Sequence, residues 1–131
     1  MRRLFRTAVV APFLLVVGTT ALAAQATDLP EGVTQTMIDA GESLFTGPGI
    51  CTACHGTDGS GVPGLGADLT DDEWLHGDGS YAAILETVRD GVSADASSTG
   101  TVMPPKGGSQ LNDAQLEAVA AYVWSLSREG G

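Results

Sequence analysis

Basic residues are scarce in this chain of 131 residues: six lysines and arginines stand against 16 aspartates and glutamates, for a net charge of −10. Nucleic-acid binding requires clustered positive side chains, so this composition argues against a nucleic-acid partner. Cysteine is also scarce, and two cysteines allow one disulfide at most, which excludes a disulfide-dense scaffold. No internal repeat and no strand-like alternation of apolar and polar residues is present, so repeat and β architectures are disfavoured.

The length fits one domain, or one domain and a removable segment, and residues 1–26 have the pattern of a secretory signal peptide. The positive n-region contains Arg2, Arg3 and Arg6. An apolar stretch follows, and small residues then allow cleavage after Ala23, Ala24 or Ala26. A retained membrane anchor is the alternative, because the uncharged stretch 7–24 has 18 residues, the lower limit for crossing a bilayer.

The predicted mature domain, residues 27–131, is strongly acidic. It keeps three basic residues against all 16 acidic ones, a net charge of −13. Such a surface favours solubility and disfavours anionic membranes. It also suits docking to a basic patch on a partner protein, although solubility alone explains it as well. With the signal peptide cleaved, we expect a periplasmic or otherwise exported protein in an oxidising compartment, without membrane insertion.

Apolar periodicity predicts an all-α protein with about four short helices. Apolar residues between positions 34 and 45 share one helical face, and the turn formers at 47–49 end that helix. The pattern Thr-Asp-Asp-Glu at 70–73 is a capping box, which predicts a second short helix carrying Trp74 and Leu75.

Two more helices are predicted in the second half of the chain. Ser80 caps the third helix, and Gly91 ends it. Asn112 and Gln115 open the last helix, which closes at Leu126. Its core stripe is formed by Leu116, Val119, Ala120 and Val123.

Four short helices in about 105 residues bury little apolar surface, and domains of this size are marginally stable on core burial alone. The Gly-rich connection 56–66 raises the entropy cost of folding. Residues 92–102 are small and polar, which predicts a surface loop. A large cofactor would supply the missing core.

The chemistry lies in the pattern Cys-Thr-Ala-Cys-His at 51–55, the C-x-x-C-H signature of c-type haem attachment. The thiols of Cys51 and Cys54 can add to the two vinyl groups of haem as thioethers. Because His55 follows at once, its imidazole comes up beneath the iron as the proximal ligand.

Three other interpretations of this motif compete. A thioredoxin-like dithiol shares C-x-x-C, but that motif belongs near a βαβ pattern, which is not found. Structural zinc needs four ligands, and adding His76 to the motif gives a spacing that fits no ribbon or finger. The third is chance, which an exported, helical, Gly-rich chain disfavours.

From about residue 34 to residue 127 the chain resembles the small class I monohaem cytochromes c. The haem motif after one helix, Met103-Pro104 placed 48 residues after His55, and a C-terminal helix ending Ala-Tyr-Val-Trp-Ser-Leu carry the resemblance. The run Met-Pro-Pro-Lys-Gly-Gly at 103–108 is also similar to short bacterial cytochromes of the c5 type. The resemblance implies the all-α cytochrome c fold wrapped around one haem.

Met103 is the preferred sixth ligand of the iron. A thioether is a soft ligand that raises the reduction potential, and the two prolines after Met103 restrict the backbone against the haem face. His76 is the rival ligand, although a His beside a helix end often caps carbonyl groups instead. An open, five-coordinate site is the third alternative.

Further assignments concern the surroundings of the haem. By resemblance, the carbonyl of Pro63 accepts the second ring N–H of His55 and orients the imidazole; a plain turn is the alternative. Trp74 and Tyr81 either donate to the haem propionates or belong to the core. The resemblance also places Gly41 where the first and last helices cross, near Tyr122.

We therefore expect an exported monohaem cytochrome c, a one-electron carrier without catalytic residues, holding one haem c through two thioethers. Expected partners are a membrane oxidase, a bc-type complex or an exported dehydrogenase. A haem-c subunit of a larger complex is one alternative. Another is a haem enzyme or sensor with an open distal site, for which Arg89 is the nearest candidate residue. The last is a thiol–disulfide oxidoreductase using Cys51 and Cys54.

Overall fold

The computed structural model describes residues 28–129, so the predicted signal peptide and its cleavage sites lie outside the described residues. In chain order the helices are α1 (Gln35–Thr46), α2 (Thr52–His55), α3 (Tyr81–Asp90) and α4 (Asp113–Glu129), with a 3-10 turn (Pro105–Gly108) before α4. Within this range only two isolated bridges occur in place of strands, which confirms the all-α prediction. None of the helices in this range is long and apolar enough to cross a membrane.

Side-chain caps set the beginnings of α1 and α3, and the cap at Ser80 is the one that the sequence predicts. The hydroxyl of Thr34 accepts a hydrogen bond from the backbone N–H of Met37 at 3.2 Å. The hydroxyl of Ser80 accepts from the N–H of Ala83 at 3.2 Å. Each cap satisfies a donor that the first helical turn leaves without a partner. Gly91 ends α3 with φ 74, a conformation that glycine adopts without strain.

The last helix opens with a reciprocal cap between Asn112 and Gln115. The N–H of Gln115 donates to Oδ1 of Asn112, and the N–H of Asn112 donates to Oε1 of Gln115, both at 3.0 Å. The predicted core stripe of α4 is buried throughout, and it forms one cluster with Phe45 of α1 and Ile84 and Val88 of α3. The helix extends to Glu129, three residues beyond the predicted end.

Helices α1 and α4 cross in close contact at Gly41. A Cβ atom at this position would collide with the backbone carbonyl of Ala118 and lie 2.7 Å from Cβ of Tyr122. One turn further along α1, the rings of Phe45 and Tyr122 meet edge to face, with centroids 5.4 Å apart. The predicted crossing at Gly41 is therefore confirmed.

The predicted helix at Thr70 is wrong, because residues 70–76 form bends and no helix. The N–H and hydroxyl of Thr70 both donate to Oδ1 of Asp68, at 2.8 and 2.6 Å. The N–H of Glu73, which a capping box would satisfy from Thr70, donates to Oδ1 of Asp71 at 3.1 Å. Local turns closed by aspartate compete with helix caps for the same donors, and here they prevail.

Candidate haem site

Cys51, Cys54 and His55 line one cleft together with Met103, although 48 positions separate His55 from Met103. Residues of α2 and α3 and of the segments 65–76 and 97–107 line the cleft. Phe45, Val119 and Val123 of the helical core line it as well. Tertiary folding thus brings all the predicted haem ligands to the same space.

Helix α2 is a single turn that presents both thiols and the imidazole. The N–H of His55 donates to the carbonyl of Cys51 at 3.0 Å, and Gly56 ends the turn with φ 77. Sγ of Cys51 lies 3.4 Å from the carbonyl oxygen of Gly49, and no disulfide joins the two cysteines. Burial raises the pKa of the Cys51 thiol above its ordinary value.

The backbone of Gly66 packs directly on this turn. A Cβ atom at Gly66 would collide with the carbonyl group of Cys54, whose carbon would lie 2.6 Å away. Val62 and Gly66 exchange backbone hydrogen bonds of 3.1 and 3.0 Å, which folds residues 62–66 into a turn. The turn therefore places the residues that follow it beside the imidazole of His55.

Nδ1 of His55 lies 2.8 Å from the carbonyl oxygen of Ala67. A carbonyl can only accept, so Nδ1 carries the proton and Nε2 is left with a lone pair for a metal. This corrects the acceptor that the resemblance assigned to Pro63. Pro63 is exposed in the turn 62–66 and is not among the residues that line the cleft, whereas Ala67 follows the turn and passes beside the ring.

Met103 is held by its own backbone. It exchanges hydrogen bonds of 2.8 and 2.9 Å with Val92, the second residue after α3. Pro104 continues the chain in an extended conformation, and the 3-10 turn follows it. The side chain of Met103 is partly buried against the helical core. The backbone position of Met103 is therefore fixed, and its side chain lines the cleft.

The other residues that the sequence associates with the haem differ in whether they line the cleft. His76 and Trp74 also line the cleft, although they lie in the bent segment that replaces the predicted helix. The hydroxyl of Tyr81 donates to the carbonyl of Glu117 at 3.4 Å, and the ring packs against the core. Arg89 is exposed on α3 and does not line the cleft.

The walls of the cleft suit a large, flat apolar group. Four large hydrophobic residues of the described chain are exposed, and all of them line this cleft: Ile50, Leu65, Leu75 and Val102, at 54, 39, 50 and 54%. Scattered apolar exposure is ordinary, but its convergence on one cleft indicates a ligand that covers these side chains. The cleft opens to solvent, and its empty space, counted with the open mouth, is about 1180 Å³.

Sequence reasoning missed three residues that shape the site. Ala67 and Val92 act through backbone groups, which every residue type carries, so their identity holds no signal. Ile50 precedes the motif with φ 59, a left-handed conformation that β-branched residues rarely adopt. A glycine at this position would have indicated a sharp turn, whereas an isoleucine gives no such indication.

Residues 36–123 match the family model described as cytochrome c oxidase, cbb3-type, subunit III. Among curated relatives, the chain is 42% identical over 79 residues to the cbb3-type cytochrome c oxidase subunit FixP of Rhizobium etli, covering 59% of this chain and 26% of that protein. It is 38% identical over 96 residues to subunit FixP of Sinorhizobium medicae, covering 72% and 32%. The chain therefore spans about a quarter to a third of the length of these relatives.

A solved structure is similar as well. Cytochrome CL from the methylotrophic bacterium Methylophaga aminisulfidivorans superposes with a TM-score of 0.50 at 30% sequence identity. The match covers 69% of this chain and 55% of that protein.

Proposed function

The chain belongs to the family of cytochrome c oxidase, cbb3-type, subunit III, and from that premise we propose that it is an exported monohaem cytochrome c that carries single electrons. One observation carries the proposal: Cys51, Cys54, His55 and Met103, distant in sequence, line the same apolar cleft. The family and the similarity to cytochrome CL also agree with the expected cytochrome c fold and with haem c as the cofactor.

The residues present fit this cofactor. Cys51 and Cys54 would hold it through two thioethers, His55 would bind the iron through Nε2, and Met103 would bind it through Sδ. When bound, haem c supplies an iron that takes up and releases one electron. The carbonyl of Ala67 holds the imidazole in one orientation and one tautomer. The walls around this group are mostly apolar.

A carrier is favoured over a haem enzyme or sensor because both axial positions have a ligand candidate in place. The backbone N–H and the backbone carbonyl of Met103 both form hydrogen bonds with Val92. His76 lines the same cleft but lies in a bent segment without such bridging. Arg89, the residue expected to mark an open distal site, is outside the cleft, and among the described residues no lysine or arginine lines it.

A thiol–disulfide oxidoreductase is disfavoured by the state of Cys51. Redox-active C-x-x-C pairs have a cysteine whose pKa is lowered, so that a thiolate is available for attack. Burial instead raises the pKa of Cys51. The surroundings of Cys51 thus lack the feature that activates a redox-active cysteine.

The proposed partners are redox proteins that present a basic surface. Asp68 and Glu73 lie at the cleft, and the segment 68–78 carries three more acidic residues, all exposed. Complementary charge steers transient redox encounters and raises their association rate. The relatives are subunits of cbb3-type oxidases, which supports an oxidase, a bc-type complex or an exported dehydrogenase as the partner, with this chain as a free carrier or a subunit. The signal-peptide pattern supports export to the periplasm.

Absorption spectra of the full chain, exported from a host that attaches haem c, test this function. We expect the bands of covalent haem c and, in the ferric form, the weak near-infrared band of a sulfur–iron bond. Met103→Ala removes that band, whereas the control His76→Ala retains it. Covalent haem without this band in the wild type favours His76 or an open site, a band that survives in Met103→Ala overturns ligation by Met103, and absence of covalent haem overturns the whole proposal.

A further inference from the structure

Two loops at the cleft position the proposed axial ligands: one contains the carbonyl that orients His55, and the other contains Met103. The proximal loop, residues 56–69, contains the carbonyl of Ala67 that orients His55. The distal loop, residues 92–103, ends at Met103. Within residues 28–129 a single hydrogen bond joins these loops directly: the hydroxyl of Thr101 donates to the carbonyl of Gly64 at 3.2 Å.

The distal loop is built so that Thr101 reaches outward. The bridge between Val92 and Met103 closes its base. Inside the loop the hydroxyls of Ser97 and Thr99 lie 3.1 Å apart, and the N–H of Thr101 donates to Oγ1 of Thr99 at 3.3 Å. Ser97 and Thr99 therefore bond within their own loop, whereas the hydroxyl of Thr101 bonds outside it.

The proximal loop presents the acceptor at the tip of its turn. Gly64 lies between Val62 and Gly66, which are bridged to each other, and it has φ 75 with open space around its Cα. The same turn is anchored to the haem motif, because Gly66 packs on the backbone of Cys54. The acceptor carbonyl thus belongs to the same turn that packs on the haem motif.

We propose that Thr101 is a positioning residue. Its hydrogen bond to Gly64 holds the distal loop against the proximal loop at the rim of the cleft, a contact that we call the clasp. The clasp slows the detachment of Met103 from the iron. This inference rests on the proposed His55 and Met103 ligation. Thr101 lies two residues before Met103, so Met103 cannot swing out of the cleft with its loop unless this bond breaks. A neutral hydrogen bond of this kind corresponds to a factor of about two to ten in an equilibrium or rate.

The first measurement is the rate of Met103 detachment in the haem-loaded full chain. Ferric protein is mixed with saturating imidazole, and loss of the near-infrared sulfur band is followed in time. Thr101→Val keeps the side-chain shape but removes the donor, and we expect detachment about two- to tenfold faster. Thr101→Ser retains the donor, and its rate should stay near that of the wild type. Equal rates in wild type and Thr101→Val overturn the proposed effect on Met103.

The second measurement, amide hydrogen exchange of the same proteins, tests the clasp independently of the iron ligand. In Thr101→Val, the amides of Leu65 and Gly66, which bond within the proximal turn, should exchange faster, together with those of the distal loop. The control Thr99→Val removes a hydroxyl that bonds inside the distal loop, so faster exchange should be confined to that loop.

The two experiments separate the clasp from the function on which it rests. If the amides of Leu65 and Gly66 exchange equally fast in Thr101→Val and wild type, the clasp is wrong, whatever the spectrum shows. If wild-type protein contains haem but lacks the sulfur band, the ligation by Met103 is wrong and its detachment is not controlled by Thr101. Faster exchange in both loops, together with faster loss of the band, supports the whole proposal.

Discussion

Met103 and Val92 exchange two backbone hydrogen bonds, of 2.8 and 2.9 Å, across the base of the loop that joins them. This pairing fixes where the sulfur of Met103 meets the cleft. It depends on Gly91, the residue that ends α3, since a Cβ atom there would collide with the carbonyl of Met103 and lie 2.7 Å from the nitrogen of Pro105. Because Gly91 has no side chain, the backbone of Met103, the proposed ligand, can lie beside it.

We expect Gly91→Ala to destabilise the haem-loaded protein and to weaken its near-infrared sulfur band. The matched control is Gly100→Ala, because Gly91 and Gly100 have φ values of 74 and 71 but no atom would contact a Cβ at Gly100. Gly100→Ala should cost only the backbone strain, about 1–2 kcal/mol, and should keep the band. Thermal unfolding and the ferric spectrum measure both effects; equal behaviour of the two variants contradicts the steric argument.

Gly41→Ala should lower the stability, although alanine is the better helix former by about 1 kcal/mol. The added methyl group meets the backbone of Ala118 on α4, and overpacking of this kind costs about 1–3 kcal/mol. Ala40→Gly, at an exposed position of the same helix, should also destabilise, by about 1 kcal/mol through helix propensity alone. Denaturant unfolding of both variants provides the test, and a raised melting temperature for Gly41→Ala would rule out the close crossing.

The proton on Nδ1 of His55 should be shared with Ala67 and not with Pro63. A hydrogen bond of 2.8 Å transmits a measurable NMR coupling between the donor nitrogen and the acceptor carbonyl carbon. We expect this coupling in reduced protein labelled with carbonyl-¹³C alanine. Protein labelled with carbonyl-¹³C proline is the control and should show none. A coupling to proline would restore the acceptor that the family resemblance assigned.

Stability should fall at acidic pH because of three aspartates that accept hydrogen bonds from the residue two positions later. The side chains and N–H groups of Ser60, Thr70 and Ser80 lower the pKa values of Asp58, Asp68 and Asp78 below the ordinary value of 3.8. A pKa that is lower in the folded state stabilises the protein at pH above the unfolded value, and this contribution is lost as the pH falls through the folded value.

The triple variant with Asp58→Asn, Asp68→Asn and Asp78→Asn tests this origin of the pH dependence. Asparagine retains a side-chain acceptor but does not titrate. We expect its unfolding free energy to change less than that of the wild type between about pH 5 and pH 2. An unchanged slope over this range would show that other carboxylates cause the acid sensitivity.

The features that sequence reasoning predicted correctly are set by near neighbours in the chain. The caps at Ser80 and Asn112 involve atoms three residues apart, so the residue types reveal them. The error at Thr70 has the same origin: the pattern of a capping box and the pattern of an aspartate turn overlap, and only the folded chain decides which acceptor the donors reach. The expected cytochrome c fold agrees with the family and with the similarity to cytochrome CL.

The sequence by itself determined the all-helical architecture, the C-x-x-C-H motif and the set of ligand candidates, because side-chain chemistry and short-range spacing encode them. The tertiary structure alone decided which of these residues share the cleft, that Ala67 accepts from His55, and that Val92 holds Met103 while Thr101 reaches Gly64. Three of these contacts use a backbone acceptor or a backbone bridge, between residues 11 to 37 positions apart. Backbone groups are the same in every residue, so packing of the whole chain selects the partners.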